Sequence, residues 1–211
     1  MLSDDYFLWY VETHFTNCTY QSCGSLYNSG ILYPTQTFYG TPIEKLILPN
    51  FSTVNQFYQT FFSCSKLKIV DILNITYQAN AFGNCISLAT LILRDTTKIS
   101  PLSGTLSVPF FLYVPETLLD SYKTATNWST MADRIIKLEG TIYEDVYWSK
   151  KDMMFISVDS IEYELPKDTT VLQCKNTYQI GHLYSNGTEL SDNKLLQDYV
   201  NTTLTTEVKG W

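Results

Sequence analysis

Few side chains in this 211-residue sequence have the types and spacing that catalysis needs. The only histidines are His14 and His182, so a histidine-based triad or a metal cluster has little material. Each reads as a surface or half-buried structural side chain. The five cysteines are Cys18, Cys23, Cys64, Cys85 and Cys174, with no C-x-x-C pair among them. Cys18 and Cys23 enclose four residues and could close a local disulfide, while the odd count favours a reducing compartment. No stretch resembles a glycine-rich phosphate loop. Carboxylates adjoin at Glu144 and Asp145 and again at Glu162 and Glu164. Proximity in sequence does not make an acid–base pair, and these read as charges that keep a β surface soluble. No catalytic residue, metal ligand or cofactor-binding residue is assigned, and the chain is expected not to be an enzyme. An enzymatic reading survives only if residues 140–211 gather carboxylates into a pocket.

The elements that would position any site are better marked. The composition is 45% hydrophobic, 17% charged and 15% aromatic, with 16 Tyr and 11 Phe, which favours strands over helices in a globular chain. The formal charge of −7 argues against a nucleic-acid partner, which needs a basic patch. Residues 1–139 carry 10 acidic and 8 basic side chains, and residues 140–211 carry 11 and 6, a shift that places a boundary near Gly140. No run approaches the length of a membrane span. Met1 to Phe15 has no basic n-region and is interrupted by Asp4, Asp5 and Glu12, so it is not read as a secretory signal. The six N-x-(S/T) sequons follow from a chain rich in Asn, Ser and Thr.

An internal repetition is the strongest pattern. Phe61, Cys64, Leu67, Val70 and Ile72 recur as Phe82, Cys85, Leu88, Leu91 and Leu93, each at an offset of 21 residues. Ile43, Leu46 and Leu48 fill the last apolar slots of an upstream copy, and Leu112 with Val114 those of a downstream one. The last two slots lie two residues apart, on one face of a short strand. No single turn can bury this set alone, so the turns are expected to stack into a solenoid with Cys64 and Cys85 as core rungs. Pro115 and Glu116 suit a helix start, and Leu118, Leu119 and Tyr122 supply its apolar stripe. Asn127 is expected to stop that helix, and Ser129 to cap a second one carrying Met131, Ala132, Ile135 and Ile136. Trp128 and this helical segment would cover the open end of the solenoid.

The segment Leu112–Glu139, LYVPETLLDSYKTATNWSTMADRIIKLE, resembles the terminal turn of BspA-type leucine-rich-repeat proteins, and the block AFGNCISLATLIL at Ala81–Leu93 resembles their repeats. The resemblance covers about Phe38–Glu139, and departs from the family where Gly40 stands in place of the Cys. It implies binding or scaffolding, as in bacterial surface and phage proteins, and transfers no catalytic residue.

The expected fold is therefore α+β and mostly β. It comprises an N-terminal cap segment over 1–37, a short leucine-rich-repeat solenoid with a helical C-terminal cap over 38–139, and a small β domain over 140–211. Alternation at Ile156–Val158, Ile161–Leu165 and Tyr178–Tyr184 marks strands in that domain, with turns at Pro166-Lys167-Asp168 and Asn186-Gly187. Tyr58, Tyr77 and Tyr113 fall beside core slots and form the candidate partner-contact surface, against the competing reading that each packs between turns. The leading functional expectation is a phage virion component that attaches to a host surface or to neighbouring subunits. The alternative is a bacterial surface or secreted adhesin binding host protein or glycan. Either places the protein on a virion or at the cell surface, with protein or host-surface glycan as partner, or with copies of itself.

Overall fold

The computed structural model describes residues 39–48, 59, 61–73, 77–78, 81–103, 110–146, 148 and 151–207. The N-terminal cap segment expected over 1–37, with His14, Cys18 and Cys23, lies outside the described residues. The chain divides into two compact units, Met1–Lys137 and Leu138–Trp211.

The first unit holds β1 (Lys45–Leu48), β2 (Ile69–Ile72), β3 (Tyr77–Gln78), β4 (Thr90–Leu93), β5 (Leu102–Ser103), β6 (Phe111–Val114) and β7 (Ile135–Lys137), with helix α1 (Leu119–Thr124) between β6 and β7. Five of these strands form one sheet in the order β1-β2-β4-β6-β7, and every neighbouring pair is parallel. Strands β3 and β5 make a separate parallel pair. The 21-residue offset of the sequence is the register of the main sheet: Val70 pairs with Leu91, and Leu91 with Leu112. One face of the sheet carries the buried residues Leu46, Val70, Leu91, Leu112 and Ile135, which join Phe61, Phe82, Leu67 and Leu88 in a continuous core. The rings of Phe61 and Phe82 stack with centroids 5.2 Å apart. Burying a side chain of this kind contributes about 1.5–3 kcal/mol, so the row of apolar slots supplies most of what holds these short strands in place.

The second unit holds β8 (Met153–Val158), β9 (Ile161–Pro166), helix α2 (Val171–Tyr178), β10 (Tyr184–Ser185), β11 (Thr188–Glu189) and β12 (Thr203–Thr205). Its sheet runs β11-β10-β12-β8-β9; all neighbours are antiparallel except β12 and β8. Asn186 and Gly187 both have positive φ and close the β10–β11 hairpin, as a type I′ turn requires. Asp159 and Ser160 do the same between β8 and β9 without a glycine. Asp159 offsets part of that strain by accepting hydrogen bonds from the backbone N–H and the hydroxyl of Thr206.

The architecture departs from the expected one. In place of a solenoid with a terminal helical cap and a small β domain, the described residues form two five-stranded sheets, one parallel and one mixed. The helical segment does not end the first unit, because the chain re-enters the sheet beyond it as β7. Ile135 and Ile136, expected on a second helix, are in that strand, where β-branched side chains suit an extended backbone. Ser129 does not cap a helix. Residues Trp128–Arg134 form 3-10 turns entered through Asn127 at φ 69°, whose side-chain amide donates to the Leu102 carbonyl at 2.7 Å. Trp128 is buried, donates its indole N–H to the Ser100 carbonyl at 2.7 Å and meets Tyr122 edge-on.

The C-terminal unit is likewise not all β. Val171–Tyr178, just before and into the alternating run, form α2, which starts in a capping box: the Thr170 hydroxyl accepts from the Gln173 N–H, and the Gln173 side chain accepts from the Thr170 N–H. The residues that close this helix, ending at Gln179 in the left-handed region, leave no room for a strand beginning at Tyr178.

Candidate interaction surface

The side chains with chemical potential are held by the fold. Cys64 and Cys85 are buried in the core of the first unit and are not joined in a disulfide. The Cys85 thiol donates to the Phe61 carbonyl at 2.8 Å, and its hydrogen bond with Cys64, together with burial, pushes its ionisation well above the ordinary thiol range. Cys174, on α2, is pushed up to about 12 by burial alone. Cys85 and Cys174 are therefore protonated and poor nucleophiles near neutral pH, whereas the interaction with Cys85 draws the buried Cys64 thiol below the ordinary thiol range. His182 is exposed and lies 2.7 Å through Nδ1 from the Glu189 carboxylate. Glu144 accepts from the Gly140 N–H at 2.8 Å, and Asp145 pairs with Lys151 at 3.7 Å. Among the described residues, no group of three or more His, Cys, Asp or Glu is placed to hold a metal ion.

The second face of the parallel sheet carries a feature that sequence reasoning missed. Register aligns Ile47, Asp71, Ile92, Tyr113 and Ile136 across the five strands, and all five are buried. Asp71 is 0% exposed and binds the guanidinium of Arg94 in a fork, Nε to Oδ1 at 2.7 Å and Nη2 to Oδ2 at 2.9 Å. Arg94 reaches this position because its N–H extends the ladder to the Ile72 carbonyl one step beyond β4. Two planar groups matched in this way satisfy each other's charge where water is excluded. The only sequence signal was an acid in an apolar strand, IVDI, followed 23 residues later by an arginine.

Tyr113 is 1% exposed, which corrects its place in the candidate contact surface: it points away from the main core, as its slot implies, into a face that is itself covered. Tyr58 and the side chain of Tyr77 lie outside the described residues. The exposed aromatic of that strand is instead Phe111, at the rim where β6 begins.

The mixed sheet differs. Met154, Ile156, Val158, Leu165 and Leu204 alternate inward and are buried. On the other face, Phe155 is 56% exposed and pairs across the strands with Glu164, while Ser157 pairs with Glu162 and with Thr203. Both glutamates are exposed, and none of the strand residues on this face is basic. Ile161, the first residue of β9, is 58% exposed. Sequence alternation marked this hairpin, but it did not reveal that an outward position holds an exposed phenylalanine beside an acid.

No family model matches the chain, and neither does any curated protein or solved structure. No helix among the described residues is long and apolar enough to cross a membrane.

Proposed function

We propose that this protein is a non-enzymatic binding or structural protein, and more narrowly a phage virion component that attaches to a host surface or to a neighbouring subunit. The observation that carries the reading is the open face of the second unit, where Phe155 stands exposed beside Glu164 and Glu162 on a sheet whose other face is largely buried. Exposed apolar side chains rimmed by charge, on a rigid strand pair, are what a contact surface needs. A second support is that the groups with chemical potential are engaged structurally, as the Asp71–Arg94 fork and the buried Cys85 and Cys174 illustrate. The virion assignment draws on the resemblance of Leu112–Glu139 to BspA-type sequences.

Light scattering after size exclusion, together with co-purification with particles from infected cells, tests this. A defined oligomer that travels with particles is expected. A monomer absent from particles overturns the virion assignment.

A further inference from the structure

The two blocks that set the register of the first unit also bring two thiols together. Cys64 and Cys85 hold the same slot of those blocks, whose later residues Val70 and Leu91 pair across β2 and β4. The backbone around each is alike. The Cys64 N–H donates to the Phe61 carbonyl and the Cys85 N–H to the Phe82 carbonyl, both at 3.1 Å. Each cysteine follows a residue of positive φ, Ser63 in one turn and Asn84 in the other. Hydrogen bonds join the two turns beside Cys64, from the Phe61 N–H to the Ala81 carbonyl at 3.0 Å and from the Ser63 N–H to the Gly83 carbonyl at 2.8 Å. The rings of Phe61 and Phe82, with centroids 5.2 Å apart and planes 5° from parallel, measure the step between turns.

Matched backbone one step apart sends the two side chains in the same direction, and the sulfurs meet. Cys85 Sγ lies 2.8 Å from the Phe61 carbonyl oxygen, which also accepts from the Cys64 N–H, and the two thiols are hydrogen-bonded to each other. A disulfide needs Cα atoms about 4.4–6.8 Å apart, and neighbouring strands lie about 4.8 Å apart, within that window.

We propose that Cys64 and Cys85 are a redox couple, a dithiol that a peroxide converts to a disulfide clasping the two turns.

The environment assigns the roles. Cys64 is the attacking sulfur, because the hydrogen bond with Cys85 favours its thiolate, and Thr41 Oγ1 stands 3.6 Å from it. Cys85, held protonated, is the resolving thiol. The Cys64 thiolate attacks one oxygen of hydrogen peroxide, the O–O bond breaks, and a sulfenic acid forms. The hydroxide released takes up the proton that Cys64 had lost and becomes water. The Cys85 sulfur then attacks the sulfenic sulfur, the S–O bond breaks, and the hydroxyl leaves with the Cys85 proton as a second water. Two electrons pass from the thiols to the peroxide, and one S–S bond is made. Both side chains are 0% exposed, so peroxide enters only when the turns open locally. On closing, the fold returns Cys85 to the sulfenic acid before a second peroxide arrives.

The test treats the full reduced chain with hydrogen peroxide under native conditions, blocks remaining thiols in urea with N-ethylmaleimide, and maps the peptides by mass spectrometry. A Cys64–Cys85 link is expected, at least tenfold more abundant than any other link of either cysteine and reversed by dithiothreitol. Peroxide added to the chain already unfolded in urea should leave a preference of only a few-fold, since loop length alone then decides. The new bond closes a loop over residues 65–84, which restricts the unfolded chain. The urea midpoint, followed by hydrogen exchange at β2 and β4, should therefore rise by about 1 M. Cys85→Ala should lose both the link and the rise, and should carry Cys64 on to the sulfinic acid.

A sulfinic acid at Cys64 in the unaltered chain, a link to another cysteine, or thiols unchanged after peroxide exposure longer than the opening time of β2 and β4 would each overturn the proposal. So would a link without a higher midpoint. These readings come from the unaltered chain and hold even if Cys85→Ala fails to fold.

Discussion

The two sheets handle their second faces in opposite ways. In the parallel sheet of the first unit, the central row on the face away from the main core, from Ile47 to Ile136, is buried even where it contains an aspartate. In the mixed sheet of the second unit, the corresponding positions hold Phe155, Glu162, Glu164 and Thr203, all exposed. Parallel sheets are covered on both sides as a rule, whereas antiparallel ones readily keep one side wet. The lesson is that an outward-pointing strand position does not mean the same thing in the two units. In the central row of the first it is interior and bears on stability; in the second it is surface and is free to serve recognition.

Breaking the buried ion pair gives the largest expected effect. Asp71→Ala leaves Arg94 charged and enclosed, at a cost of about 3–5 kcal/mol. Hydrogen exchange at the strand amides of the first unit should accelerate accordingly, while that of the second unit should not change. Breaking the exposed Lys68–Glu44 bridge, at 3.2 Å, is expected to cost less than about 1 kcal/mol, so a comparable loss there would erase the distinction. Tyr113→Ala belongs to the same class of damage, at about 3 kcal/mol or more.

Alkaline titration probes the second unit. Burial raises the folded-state ionisation of Cys174 from its ordinary 9.0 to about 12. Stability from this thiol is therefore complete below pH 9 and is lost as pH rises from there toward 12. By pH 11 the loss should reach about 2–3 kcal/mol. Urea titrations at the two ends of that range should show a smaller loss for Cys174→Val, which has no proton to release. Equal losses would mean that the thiol ionises without opening the fold.

A smaller change is expected at the start of α2. Thr170→Ala removes one half of the capping box and should cost about 1 kcal/mol, seen as faster exchange over residues 171–178. Smallest of all, Phe155→Ala should shift stability by no more than about 0.5 kcal/mol in a thermal melt, since its ring is largely in water. A loss as large as that of Tyr113→Ala would show that the open face is covered in solution, and would break the comparison between the sheets.

The sequence by itself determined where the core strands of the first unit run. Apolar residues two apart, repeating every 21, can bury themselves only if Val70, Leu91 and Leu112 come into register, and they do. It also determined the Asn186–Gly187 turn, because that dipeptide tolerates the positive φ the hairpin demands. Other local choices were legible but outweighed: Thr170 and Gln173 stand at capping-box spacing, a helix signal masked by the neighbouring alternation. Ile135 and Ile136 fit a helical stripe as well as a strand, and the open edge of β6 chose the strand. The fate of the outward positions was decided by tertiary structure alone. A one-dimensional pattern records which side chains alternate away from a core, and nothing in it says whether a second layer will cover them. Asp71 and Tyr113 became interior because their face is enclosed; Phe155 became surface because its face is not.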